Sequence, residues 1–417
     1  MVGAALAAGT YAVFAHATRR GAHASGARGG AGASRRCPGA ALGTVAFARA
    51  GALVTLDLRT CTTRTLVRHG VSAGIRFSHD GRYIMFGSGV IATHGGPVRR
   101  TIGIWSPTED VLATGTGGLA LASMTGAAKE LLPADWGVRS LAFSPDGKTL
   151  AVGRSTYRNY KQRPPYHQEI WTIDLATGAR RVVFKEPRDA LAPPDLMGYS
   201  PDGRWLLFLK DLSNSASIAA DGLPLEALNV STGVVRQIAP AALGNPDFAT
   251  WCGDSLVYVI DHNGRSVTMG DGIAVTRPPL WRSQTILETG AKTSWNSVAC
   301  SPSGRLAVSA GPTTDDSPFG QERRSLWLVD PKPGAKPTVI RAAVPPRGQT
   351  DEMPRWSSDG LYLLFVRTKP REIGGRGSLY AYDTSTHRLI GPMAGVGTTE
   401  NYYGTYNWPL QIDWYRG

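Results

Sequence analysis

The chain is poor in the features that mark several large protein classes. Long amphipathic helical periodicity is absent, which argues against a helix bundle. The longest apolar stretch, Val2 to Ala15, is too short to span a bilayer. Acidic residues are outnumbered, 32 against 45 lysines and arginines, giving a formal net charge of +13. No polybasic run interleaves with stacking aromatics, so nucleic acid is not an expected partner. Only four cysteines occur, none in a C-x-x-C pair, and no histidine sits at zinc-ligand spacing. No metal and no cofactor are therefore expected. A G-x-S-x-G nucleophile elbow is also missing. The eight histidines are scattered, and the carboxylates fall mostly at turn positions. No acid and base pair is recognisable, so no catalytic residue is named and the chain is read as a non-enzyme.

What is abundant is glycine and proline, 50 and 28 residues spread along 417. That suits many short strands joined by tight turns. The N-terminal segment 1–17 ends in Ala15-His16-Ala17, an A-x-A pattern that a signal peptidase cuts. It lacks the usual basic start, so the reading is an export signal with a truncated beginning, or else an N-terminal anchor. Residues 18–42 are rich in Gly, Ala and Arg and read as a flexible tether. An even cysteine count agrees with export and disulfides. Cys37 and Cys61 are the preferred pair. Cys252 and Cys300 occupy nearly equivalent places in consecutive repeats; two buried thiols are slightly favoured over a second bridge.

The remainder, 43–417, repeats itself. Phe77-Ser78-His79-Asp80-Gly81, Phe143-Ser144-Pro145-Asp146-Gly147 and Tyr199-Ser200-Pro201-Asp202-Gly203 are each followed by an apolar run. Cys300-Ser301-Pro302-Ser303-Gly304 and Trp356-Ser357-Ser358-Asp359-Gly360 continue the series, with a weaker copy at Trp251-Cys252-Gly253-Asp254. The chemistry is that of a turn: proline presets φ, aspartate binds local amides and glycine takes the left-handed conformation. These aspartates are therefore structural. A second motif follows most copies, as in Ile170-Trp171-Thr172-Ile173-Asp174-Leu175-Ala176-Thr177-Gly178. It reads as a third strand, a turn and a fourth strand. Four strands per repeat make a propeller blade.

Together the two motifs resemble the TolB-like, or PD40, WD40-like propeller repeat over about residues 43–417. The G-H and W-D signatures of WD40 blades are absent, and Asp and Gly are adjacent, unlike the Asp-box of sialidases. The fold class implied is all-β: one β-propeller of four-stranded antiparallel blades. Six turn motifs suggest six blades. Seven are preferred, because the C-terminal Leu410 to Gly417 reads as an innermost strand that joins the N-terminal blade and closes the ring. The fifth blade, around 249–290, is the least regular, and its outer strands are not placed.

Two sets of binding candidates follow. Aligned on the aromatics ending the innermost strands, Arg76, Arg355 and Asp413 fall one residue back, in blades that become neighbours on closure. A charged cluster at the channel is expected there. The second set lies in the loop from Arg154 to Gln168, with Arg158, Tyr160, Arg163, Tyr166 and His167. Tyrosine and arginine are favoured at binding hot spots, although Pro164-Pro165 also fits a stiffened, solvated loop. Loops between second and third strands share one face; the longest runs from Gly89 to about Gly118. Variable loops on a rigid scaffold carry recognition. The resemblance implies an extracytoplasmic, monomeric module that binds an envelope or secreted protein, with an anionic polymer as a further partner class. The alternatives are a propeller enzyme of glycoside hydrolase or lyase type, and a polysaccharide or small-molecule sensor.

Overall fold

A computed structural model describes residues 37–39 and 42–416, apart from 72, 88, 116–117, 157–166, 187–193, 211–221, 243, 245–246, 261–270, 291–292, 313–323, 370–375, 399–400, 403–404 and 407. The expected signal segment and most of the tether lie outside these residues. Among the described residues, no helix is long and apolar enough to cross a membrane.

The architecture follows from the hairpin motif. In the turn Ser144 to Gly147, the serine hydroxyl donates to Asp146 at 2.6 Å and accepts from the Thr149 amide at 2.9 Å. Asp146 also accepts the Lys148 amide. The same pattern recurs at Ser78, Ser200 and Ser357. Each turn thus satisfies its own polar groups and hands the chain back antiparallel. The glycine is needed twice over at Gly81. Its φ is +72°, and a Cβ there would meet the Tyr415 ring at 2.5 Å.

Seven four-stranded antiparallel blades result, as expected. The third runs Val138–Phe143, Thr149–Thr156, His167–Asp174 and Arg180–Lys185 from inside outwards. The irregular fifth consists of Ala249–Cys252, Ser255–Ile260, Gly272–Thr276 and Gln284–Leu287, and touches the fourth through a pairing of Ala242 with Ile260. The first blade takes its innermost strand from the chain's end: Ile412–Tyr415 pairs antiparallel with Thr44–Arg49, Ala46 opposite Asp413. Trp414 Nε1 donates to the Leu42 carbonyl at 2.6 Å. The closing strand thereby pairs the inner edge of Thr44–Arg49, which no other strand covers among the described residues.

One expectation is corrected. The stretch from Gly89 to Gly118 is not a single loop. Arg76–Phe77, Tyr83–Phe86 and Gly89–Ala92 form a three-stranded sheet, and Ile104–Trp105 opens a four-stranded blade of its own. Its turn, Trp105-Ser106-Pro107-Thr108, has the same Ser106-to-Val111 closure as the other copies. Thr108 stands where they have aspartate, so the pattern escapes notice in the sequence.

Eight apolar clusters run round the ring, each shared by two consecutive sheets, the three-stranded one included. Second strands are covered on both faces, which is why Trp205–Leu209 is wholly apolar and wholly buried. Outer strands such as Thr63–Val67 face water and read as polar. Both pairs of cysteines are bridged, Cys37 to Cys61 and Cys252 to Cys300, with Cα separations of 5.6 and 5.4 Å. The reading of Cys252 and Cys300 as free thiols is therefore corrected. Blades five and six stack closely enough to bring these equivalent positions within bonding reach.

Candidate functional site

A concentration of buried charge lies along the innermost strand of the last blade. Its scaffold is the strand Thr350–Trp356, which carries Asp351, Glu352 and Arg355. The short helix Trp408–Gln411 and the closing strand complete it.

Each buried carboxylate there has a guanidinium partner. Asp351 takes a two-pronged bond from Arg367, 2.7 Å to Nε and 2.8 Å to Nη2. Glu352 accepts from Arg324 Nη1 and from Trp408 Nε1, both at 3.2 Å. Asp247, from the segment before the fifth blade, pairs with Arg355. Burial dominates the acidities. It pushes Asp351 up to about 6 despite Arg367. It pushes Glu352 up to about 7, with Arg324 and Trp408 pulling down and Asp247 adding to the rise. Asp247 is also raised by burial, against the pull of Arg355 and Arg76. Removing one member of such a buried pair leaves an uncompensated charge.

Arg76, Arg355 and Asp413 line one cavity of about 150 Å³, with Met353, Leu364 and Arg416 among its other walls. They share the space without forming contact ion pairs to one another. Asp413 Oδ2 accepts the Phe77 amide at 2.8 Å. Arg76 Nη1 donates to the Ile75 and Pro409 carbonyls at 2.6 and 2.5 Å. Arg355 is turned to Asp247. Sequence alignment of the innermost strands finds the first three residues. It misses Asp247, Glu352, Arg324 and Arg416, whose strands are interrupted by bulges or lie beyond the motif; Met353, for example, has φ +56°.

The loop candidates Arg158, Tyr160, Arg163 and Tyr166 fall outside the described residues. His167 begins the third strand of its blade. At the loop's base, Arg154 donates to the Trp136 carbonyl at 2.8 Å and lies 4.4 Å over that indole ring. A second cavity of about 350 Å³ opens on the last blade, lined by Gln349, Arg367, Lys369, Arg376 and Tyr380. His79, Asp80 and Asp110 bring ligand-type atoms within 4.8 Å of one another. Arg82 already bonds both carboxylates, and it contributes to holding Asp80 down at about 2, so a cation would have to displace it.

Comparison with known proteins gives few points of contact. A family model for the WD domain, G-beta repeat, matches residues 131–157. No curated protein matches by sequence. Among solved structures, the chain is similar to one from a study of two prolyl endopeptidases, at 12% identity, 90% of this chain, 50% of that chain and a TM-score of 0.49. This chain thus spans about half the length of that protein. It is also similar to TolB from Acinetobacter baumannii, at 14% identity, 86% and 80% coverage and a TM-score of 0.36. An oligogalacturonate lyase in complex with manganese matches at 14% identity, 82% of each chain and a TM-score of 0.46.

Proposed function

We propose that this chain, a β-propeller of the TolB-like, WD40-like kind, is a non-catalytic extracytoplasmic platform that binds an envelope or secreted protein. The observation that carries the reading is how its acids are used. Turn aspartates bond their own turns, and the buried carboxylates Asp247, Asp351 and Glu352 are spent on arginines. Groups so committed hold a scaffold together. Recognition then falls to the loops between second and third strands, where Arg158, Tyr160, Arg163 and Tyr166 combine charge with aromatic surface. The net charge of +13 favours an acidic partner face, or an anionic polymer. Two disulfides suit an oxidising compartment.

A second reading has one observation in its favour. Glu352, pushed up to about 7, has the acidity of a general acid working near neutral pH. That is what a propeller hydrolase or lyase would need.

The two are separated by one set of experiments on the full chain. Immobilised protein is incubated with an envelope extract, and captured proteins are tested for saturable binding. The platform reading expects one partner bound by the native chain and lost on joint replacement of Arg158 and Arg163 by Ala. Turnover of an acidic polysaccharide such as polygalacturonate, abolished in Glu352→Gln, would overturn it.

A further inference from the structure

We propose that the cavity lined by Arg76, Arg355 and Arg416 is a binding site for one small oxyanion of the phosphate class. The proposal goes beyond the loop-face reading and stands or falls separately from it.

Among the described residues, three arginines line this cavity and Asp413 is the one carboxylate in its walls. Asp413 directs Oδ2 at the Phe77 amide. Arg355 shares its charge with Asp247, which lies outside the lining. Arg76 is held by two backbone carbonyls through a single nitrogen, Nη1. Arg416 rests 5.3 Å over the Trp414 ring and, among the described residues, makes no hydrogen bond. Its surroundings disfavour its charge through desolvation and through Arg355 facing it, while Asp413 offsets part of this. Arg76 and Arg416 thus keep donors unspent beside Arg355, whose Nη1 and Nη2 bond the Pro354 carbonyl and Asp247, and an anion arriving between them would relieve their mutual repulsion.

Size narrows the ligand. About 150 Å³ is well below the roughly 300 Å³ at which pockets begin to hold drug-sized molecules. A tetrahedral oxyanion, which accepts from several guanidinium groups at once, fits both the volume and the donor set. Of the lining residues, Arg416 is the exposed one, so the cavity reaches solvent on its side.

The position gives the site a consequence. Arg76 belongs to the three-stranded sheet, Arg355 to the last blade and Arg416 follows the closing strand. One anion held by all three would tie together the three sheets that meet at the closure.

The test uses the full chain titrated with inorganic phosphate at constant ionic strength, sodium chloride making up the difference. Calorimetry and the unfolding midpoint are read together, with Arg416→Gln and the exposed control Arg204→Gln. The proposal expects saturable phosphate binding, a midpoint that rises with occupancy, and about tenfold weaker binding in Arg416→Gln, with Arg204→Gln unchanged. Absence of saturable binding to the native chain would overturn it. So would an equal midpoint rise in chloride, or the same affinity in all three proteins. If Arg416→Gln does not fold, Arg76→Gln takes its place under the same criteria.

Discussion

Two joints of the same ring are built very differently. Among the described residues, seventeen buried apolar side chains interlock where the last blade meets the first, from Leu42 and Phe47 to Trp408 and Trp414. Where the three-stranded sheet meets the blade that follows it, four do: Met85, Val90, Leu112 and Ala122. The first joint is also tied to the innermost strand of the last blade by the bond from Trp408 Nε1 to Glu352 at 3.2 Å, while Glu352 pairs in turn with Arg324 of blade six. The second adds the Tyr83–Trp105 ring contact at 6.4 Å and a bond from Trp105 Nε1 to the Arg76 carbonyl at 3.1 Å. Blade-to-blade packing is the main source of stability in such a ring, so opening should start at the thin joint and not at the chain's ends. A ring closed by its own C-terminal strand would otherwise be expected to fray there first.

The largest test of that contrast is Trp408→Ala. This side chain is fully buried in the seam and donates to Glu352. Its loss should cost about 3–5 kcal/mol, read from urea unfolding. A cost under about 1 kcal/mol would mean the seam is not the strong joint.

A pH series sharpens the same point. Glu352 has a folded-state pKa raised from 4.5 to about 7. The folded chain therefore binds this proton more tightly than the unfolded chain does. Its stabilising contribution is complete below pH about 4.5 and is lost as pH rises through about 7, on the order of 3 kcal/mol. Asp351, raised from 3.8 to about 6, acts in the same direction over a lower window. Unfolding free energies measured from pH 4.5 to 8 should fall, and Glu352→Gln should flatten the slope. An unchanged slope in that variant would remove Glu352 from the account.

At the thin joint the effects should be smaller. Val90→Ala deletes two buried methyl groups and should cost about 1.5–2 kcal/mol. Its signature is local: amides of Tyr83–Phe86 should exchange faster while the seam is unaffected. A global loss as large as that of Trp408→Ala would erase the distinction between the joints.

Much of this fold is written in the sequence, because one turn motif encodes it. Ser, Asp and Gly act within five residues of one another, so Ser144 to Thr149 specifies its hairpin locally. Closure is legible as well, since Trp414 repeats the register of the other innermost aromatics. The three-stranded sheet is not. Its neighbour's turn has Thr108 in the aspartate's place, and two short sheets merge into one apparent blade. The site is legible only in part. Arg76, Arg355 and Asp413 follow from repeat register, but Asp247 reaches Arg355 across 108 residues of chain. Such a contact depends on how the ring closes, which no local spacing records. The Cys252–Cys300 bridge is a similar case: equivalent positions are visible, and their distance is set by blade stacking.

In this ring the C-terminal strand acts as a lock and not as a loose end. Native-state hydrogen exchange on the full chain measures this directly. Amides of Ile412–Tyr415 should exchange only through global unfolding, with the free energy found by urea, while those of Tyr83–Phe86 and Gly89–Ala92 exchange through a cheaper local opening. Exchange of Ile412–Tyr415 as fast as, or faster than, that of the three-stranded sheet would contradict it.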